Sequence, residues 1–402
     1  MRLVCASLLC LLLFPACVRR GDVNRDTDEA GNIEAEEIAA IAIIDPLQIR
    51  AAAVAASLDD RLLAAQVLIC GIDGREKLPA YMKILLEECP AGGVMLFKYN
   101  LDTGNDSIRS LLAETVSLIR NESGLSPFMA VDHEGGSVNR FLRGTAALPA
   151  ASSYWELFLE EGRQEALAKI EAASLASGRE INDLGINLNF APVAEYLNDD
   201  NRGFLESRSY GPDPSFTAEA AAVFVRGMEQ AGVLCVIKHF PGSAGPDPHY
   251  SPSMLEGDMT ALGNLVYPFA ALIKDGARAV MVAHTAVPAI DSGIASLSSA
   301  VMENWLRRDL GFNGIIISDD FFMAAAGDIS GEEASILSIA AGADMVLVWP
   351  PDIRRTHRAF LSALEEGRLS RERMREAAAR IIYEKLRMGL TVNEQLGVRS
   401  EE

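Results

Sequence analysis

Several apolar runs in the chain end on residues that can attack, hold charge or move protons. Asp132 closes "FMAVD", Lys238 and His239 close "VLCVIKHF", His284 ends "AVMVAH", and Asp319-Asp320 closes "GIIISDD". A carboxylate like Asp319 can act as a nucleophile or stabilise positive charge developing beside it. The structural alternative for either aspartate is a helix N-cap, and two in a row permit both uses, with Asp319 toward a site and Asp320 structural. In Asp247-Pro248-His249 a carboxylate lies two residues from an imidazole. An Asp that accepts from one ring nitrogen fixes the tautomer, and the other nitrogen can then give and take a proton near neutral pH. On spacing alone that triplet reads more simply as a surface turn. Arg140 follows Asp132 by eight residues, past the Gly-Gly of "DHEGGSVNRF". Such a pair can grip sugar hydroxyls or bridge to each other. Trp349, near the end of the last run, can wall a sugar site or pack a rim.

The elements that must position these residues are legible as eight short runs, at 66–72, 92–97, 128–132, 186–192, 233–240, 279–285, 314–320 and 345–350. They are rich in Val and Ile and apolar on both faces, as buried parallel strands must be. Amphipathic stretches such as "DSIRSLLAETVSLIR" and "TAEAAAVFVRGMEQAG" separate them, the second after a Thr/Ser cap region and ending at Gly232. The α/β alternation predicts a single (β/α)8 TIM-type barrel, with a doubly wound open sheet as the alternative. In a barrel all C-terminal strand ends open on one face. Charges from four strands would converge there, which is costly unless they are paired or functional.

The chain has 402 residues and a formal net charge of −20. An acidic surface repels phosphate backbones, which argues against a nucleic-acid partner. A neutral or cationic small substrate suits it better. Residues 1–17, "MRLVCASLLCLLLFPAC", carry one arginine and an apolar core too short to span a bilayer comfortably. They resemble a bacterial lipoprotein signal with Cys17 as the lipidated residue, and an ordinary secretory leader is the alternative. Residues 18–45 open polar and acidic and read as a flexible tether, 46–395 as the catalytic domain, and 396–402 as a tail. The expected setting is the cell envelope, with membrane contact only through the lipid. Cys70 and Cys235 sit inside apolar runs and read as buried hydrophobes. No Cys/His cluster has metal-site spacing.

Taken together, "VDHEGGSVNRF", "GINLNFAPVAE", "ESRSYGPDP", "KHFPG" with a following Asp-x-His, "MVAHTAVPAID", "SLSSAVMENWLRRDLGF", "GFNGIIISDDFFM" and "AGADMVLV" resemble the β-N-acetylhexosaminidase branch of glycoside hydrolase family 3. The resemblance covers about residues 50 to 390. It implies retaining hydrolysis of terminal β-linked N-acetylglucosamine, from peptidoglycan fragments or chitin-type oligosaccharides, with no metal or organic cofactor. It implies Asp319 as nucleophile, His249 as acid/base with Asp247 as its partner, and Asp132, Arg140, Arg208, Lys238 and His239 as sugar-binding residues. An Asp-His pair replaces the usual second carboxylate of glycosidases. Ser243 and Ala244 stand where the family has His-Gly, Pro248 stands where Ser is common, and the loop before Asp247 is short. These departures bear on rate and leaving-group preference more than on reaction class. A β-glycosidase or glycoside phosphorylase of other specificity, and an impaired glycan-binding lipoprotein, are the competing readings.

Overall fold

The computed structural model describes residues 45–141, 148–245, 247, 251–321 and 329–393, and the elements below lie in the unit that begins at Pro46. The apolar runs form strands. In chain order these are β1 (Leu68–Gly71), β2 (Gly93–Leu96), β3 (Phe128–Val131), β4 (Leu188–Asn189), β5 (Leu234–Cys235) and β6 (Ile237–Phe240). Then come β7 (Ser253–Met254), β8 (Ala279–Val282), β9 (Thr285–Val287), β10 (Asp291–Ile294), β11 (Ile315–Ser318) and β12 (Val346–Val348). Every residue of β1, β2, β3, β6, β8 and β11 is buried, so both faces of these strands are packed. That is the pattern of a parallel sheet covered by helices.

The parallel strands form two ladders, β12-β1-β2-β3-β4-β5 and β11-β8-β6. Neighbours follow chain order and the last strand lies beside the first, without the order reversal of a doubly wound sheet. The fold is thus a mixed α/β fold with a parallel central sheet. The expectation of one closed barrel is corrected to that extent, since no ladder closes the strands into a ring among the described residues. The run at 233–240 is divided, with β5 in one ladder and β6 in the other. Pro192, past the end of β4, has no N–H to donate to the neighbouring run. The register of β6 on β8 also shifts between Ile237 and Phe240. Across the two gaps run isolated parallel bridges, Val193 with Lys238 and Ile317 with Met345. A small third sheet, β10-β9-β7, forms beyond the ends of β6 and β8.

Helices between the strands bury one stripe each. Asn105–Ser123 buries Ile108, Leu111, Leu112, Thr115 and Ile119 and stops at Gly124, whose φ of 73° suits a left-handed cap. Pro214–Gln230 is capped by Asp213, which accepts from the Ser215 and Phe216 N–H groups at 2.8 and 3.2 Å. The cap expected of Thr or Ser is therefore an aspartate, and Ser215 and Thr217 lie in the first turn. At the N-terminal end of the sheet, buried Asp344 accepts from Arg307, Arg373, Arg380 and the Ile316 N–H. Because Ile316 belongs to β11 and Asp344 leads into β12, this cluster ties the two ladders together.

Candidate active site

A cavity of about 580 Å³ opens where the parallel strands end. Asp132, Arg140, Arg208, Lys238, His239 and Asp319 all line it. Asp132 follows β3 directly, Lys238 and His239 lie within β6, and Asp319 follows β11. Arg208 ends a short 3-10 turn, Glu206–Arg208. Six residues expected from sequence to serve one site are thus brought together.

Their charges form one network. Lys238 Nζ donates to Asp132 Oδ1 at 2.8 Å and to Glu134 Oε1 at 2.6 Å. Arg140 Nη2 reaches Asp132 Oδ2 at 3.3 Å. Arg208 holds Glu134 with two bonds of 2.8 Å, and its guanidinium lies over the Phe204 ring at 4.9 Å. Burial alone would raise the Glu134 and Asp132 pKa values. The Lys238 and Arg208 charges outweigh it for Glu134, and Lys238 and Arg140 outweigh it for Asp132, so both stay below the usual carboxylate range. Burial likewise works against charge on Lys238, yet Asp132 and Glu134 hold its pKa above the ordinary value. The network stays ionised through neutral pH. Arg140 Nε is buried with no hydrogen-bond partner among the described residues, a donor available to a ligand hydroxyl or carbonyl.

Two carboxylates in this site escape the sequence reading. Glu134 lies in the Asp132–Gly136 turn, where Gly135 and Gly136 take φ of 99° and 54° and let the chain double back. A Cβ on Gly135 would come 2.3 Å from the Pro149 carbonyl oxygen. Glu195, only 3% exposed, accepts from His239 Nδ1 at 2.7 Å and from the Ser243 N–H at 2.6 Å. Nδ1 then carries the His239 proton, leaving Nε2 to accept from Arg208 Nη2 at 3.4 Å. The available signal for both was a Glu just past a strand, in "DHEGG" and "APVAE".

Asp319 is held by its own backbone and its neighbour. Its N–H donates to the Val282 carbonyl at 3.0 Å, and its Oδ1 accepts from the Asp320 N–H at 2.8 Å. Asp320, expected to be purely structural, also lines the cavity and accepts from Trp349 Nε1. His284 is buried beneath this turn and is not part of the cavity lining. Its Nε2 donates to the Asp320 carbonyl at 2.9 Å and its Nδ1 accepts from Ser296 Oγ at 2.7 Å. Burial lowers its pKa, with Asp319 opposing, which favours the neutral ring. His284 therefore positions the Asp319–Asp320 turn instead of facing the mouth. Asp247 is half-buried beyond Ser243 and is not among the lining residues, and its carbonyl accepts from the Ser251 N–H at 3.1 Å. His249, Pro248 and Cys17 lie outside the described residues.

A strand-end aspartate that shares one cavity with an ionised grip of Asp, Glu, Lys and Arg suits an enzyme that works on glycosidic bonds. The chain belongs to glycosyl hydrolase family 3, whose N-terminal domain model matches residues 61–383, and it is a glycoside hydrolase. A beta-hexosaminidase of Stenotrophomonas maltophilia (strain K279a) is 34% identical over 294 residues, 71% of this chain and 84% of that protein. The structure of a glycoside hydrolase family 3 beta-N-acetylglucosaminidase from Paenibacillus sp. str. FPU-7 superposes with a TM-score of 0.77 at 29% identity, covering 86% of this chain and 65% of that one. NagZ from Neisseria gonorrhoeae, in complex with N-trifluoroacetyl-D-glucosamine, gives 0.68 at 28% identity, covering 83% and 93%.

Proposed function

We propose that the chain removes terminal β-linked N-acetylglucosamine from peptidoglycan fragments or chitin-type oligosaccharides, with retention of configuration. The carrying observation is that Asp319 shares one cavity with the Asp132–Lys238–Glu134–Arg208 network and His239. The network grips the hydroxyls of the non-reducing sugar. Asp319 attacks C1 and forms a glycosyl ester. His249, steadied by Asp247, protonates the leaving oxygen and then deprotonates the incoming water, two tasks an imidazole can perform near neutral pH. The sugar sits at the C-terminal mouth of a (β/α)8-type arrangement of strands, a reading supported by consecutive strand order and by isolated bridges at both gaps between the ladders. The leader exports the chain and Cys17 carries its lipid.

Release of p-nitrophenol from the β-N-acetylglucosaminide tests the reading. The wild-type chain is expected to turn it over and Asp319→Ala to lose turnover. Undiminished release by Asp319→Ala would overturn the assignment. Labelled palmitate should enter the full chain in a bacterial host and fail to enter Cys17→Ala.

A further inference from the structure

Asp132 and Glu134, the two carboxylates that share Lys238 Nζ, are separated by one residue, His133. Alternate side chains of an extended segment face opposite sides. Asp132 and Glu134 accordingly line the cavity, while His133 is fully buried and is not part of the lining. Both carboxylates lie within hydrogen-bond distance of one ammonium group, so they also repel each other. The backbone that spaces them lies beyond the end of β3 at Val131 and runs into Gly135 and Gly136, which give it freedom to yield.

A side chain from the neighbouring strand holds that backbone. Asn189, the last residue of β4, is fully buried. Its Oδ1 accepts from the His133 N–H at 2.9 Å, and its Nδ2 donates to the His133 carbonyl at 2.9 Å. These two groups belong to the peptide units that join His133 to Asp132 and to Glu134. One side-chain amide therefore fixes both peptide planes, as a paired strand would. The His133 ring is held as well, with Nε2 at 3.0 Å from Ser177 Oγ and the Phe141 ring edge-on at 5.1 Å. Asn is depleted in strands, and a buried amide is costly unless its donor and acceptor are both used. An apolar residue at this position would leave two buried backbone groups unpaired.

We infer that Asn189 is a positioning residue for sugar binding, holding the His133 backbone so that Asp132 and Glu134 present their carboxylates to Lys238 and to the sugar hydroxyls at one fixed spacing. This deepens the proposed function and rests on it. Asn189 lies outside the cavity lining and acts through the two carboxylates.

A double-mutant cycle on the aryl N-acetylglucosaminide tests the inference. Asn189→Ala should lower kcat/KM about tenfold in the wild-type background, the order expected for losing a buried hydrogen-bonded pair. In Lys238→Met, where the shared cation is already gone, it should cost less than about twofold, because residues of one network are not additive. Equal losses in both backgrounds, or none in either, would overturn the inference. Asn189→Asp covers the case in which the alanine variant fails to fold. A protonated carboxyl offers an O–H and a carbonyl oxygen to the same two groups, whereas the ionised form has no donor. Burial raises the pKa of such a carboxyl, so kcat/KM of the Asp variant relative to wild type should fall about fivefold or more between about pH 5 and pH 9, with the folded fraction unchanged by circular dichroism. A ratio that stays flat across that range overturns the inference. A wild-type chain that releases no p-nitrophenol overturns the functional reading beneath it, a separate result from an active wild type whose cycle is additive.

Discussion

Asp132 and Asp344 are both aspartates held by basic side chains, one at the C-terminal ends of the parallel strands and one at the N-terminal ends. Asp344 is fully buried and accepts four hydrogen bonds, from Arg307 at 2.6 Å, Ile316 N at 2.9 Å, and Arg373 and Arg380 at 3.0 Å each. That uses about the whole acceptor capacity of a carboxylate. Burial would raise its pKa, but the three arginines bring it down to about 2. Asp132 accepts from Lys238 and Arg140, and a fifth of its side chain stays open to the cavity. Both are ionised, but only Asp132 has acceptor capacity to spare. Saturation marks a charge that holds a fold together, and spare capacity facing a cavity marks one that binds.

The largest effect should come from the saturated end. Asp344→Ala leaves three arginines around an uncompensated buried site and should cost about 3–5 kcal/mol of stability in urea denaturation. A loss below about 1 kcal/mol would break the comparison. Lys238→Met removes the cation shared by Asp132 and Glu134 and should lower kcat/KM on the aryl substrate about 100-fold, because bonds between charged groups are among the stronger hydrogen bonds. If it lowers the melting temperature without touching kcat/KM, the mouth network is structural like its counterpart. Glu195→Gln keeps the size of the side chain and weakens the hold on His239 Nδ1, with about a tenfold fall in kcat/KM and little change in melting temperature. A full loss of folded protein would place Glu195 with the saturated group instead.

The smallest effect is a pH dependence. Asp344, Asp132 and Glu134 all have folded pKa values below their ordinary ones. Such carboxylates add stability that is complete above the unfolded value of about 4 and is lost as pH falls through the folded value. The urea midpoint should therefore fall between about pH 4 and pH 2, and Asp344→Ala should fall less steeply there than wild type. Parallel curves for the two would remove Asp344 from the account.

The strands and the charged strand ends were legible in the sequence because each is written locally. A two-sided apolar run that ends on Asp or Lys-His announces both a buried strand and a costly charge. Glu134 and Glu195 were not legible, because their meaning depends on partners far along the chain, Arg208 and Lys238 for one and His239 for the other. His284 looked like a mouth residue for the same local reason as Lys238, and only its bonds to Ser296 and the Asp320 carbonyl place it below the turn. The division of the 233–240 run falls opposite Pro192, whose missing N–H matters only once the neighbouring strand is known. The stacking of Phe97 on Trp349, 4.6 Å between ring centroids, was hidden because the two follow strands far apart in the sequence.

The depth of the mouth network has one further consequence, in its response to dissolved salt. Lys238 and Glu134 side chains are only 4% and 5% exposed. Counterions screen charges across water and reach such pairs poorly. Pairs on the outside, such as Arg371–Asp60 and Arg354–Glu88, are 37–50% exposed and lie within their reach. Brine would thus quiet the mutual repulsion of an exterior carrying a net charge of −20 while leaving the pull on a neutral sugar unaltered. Catalysis in this chain should be nearly indifferent to ionic strength.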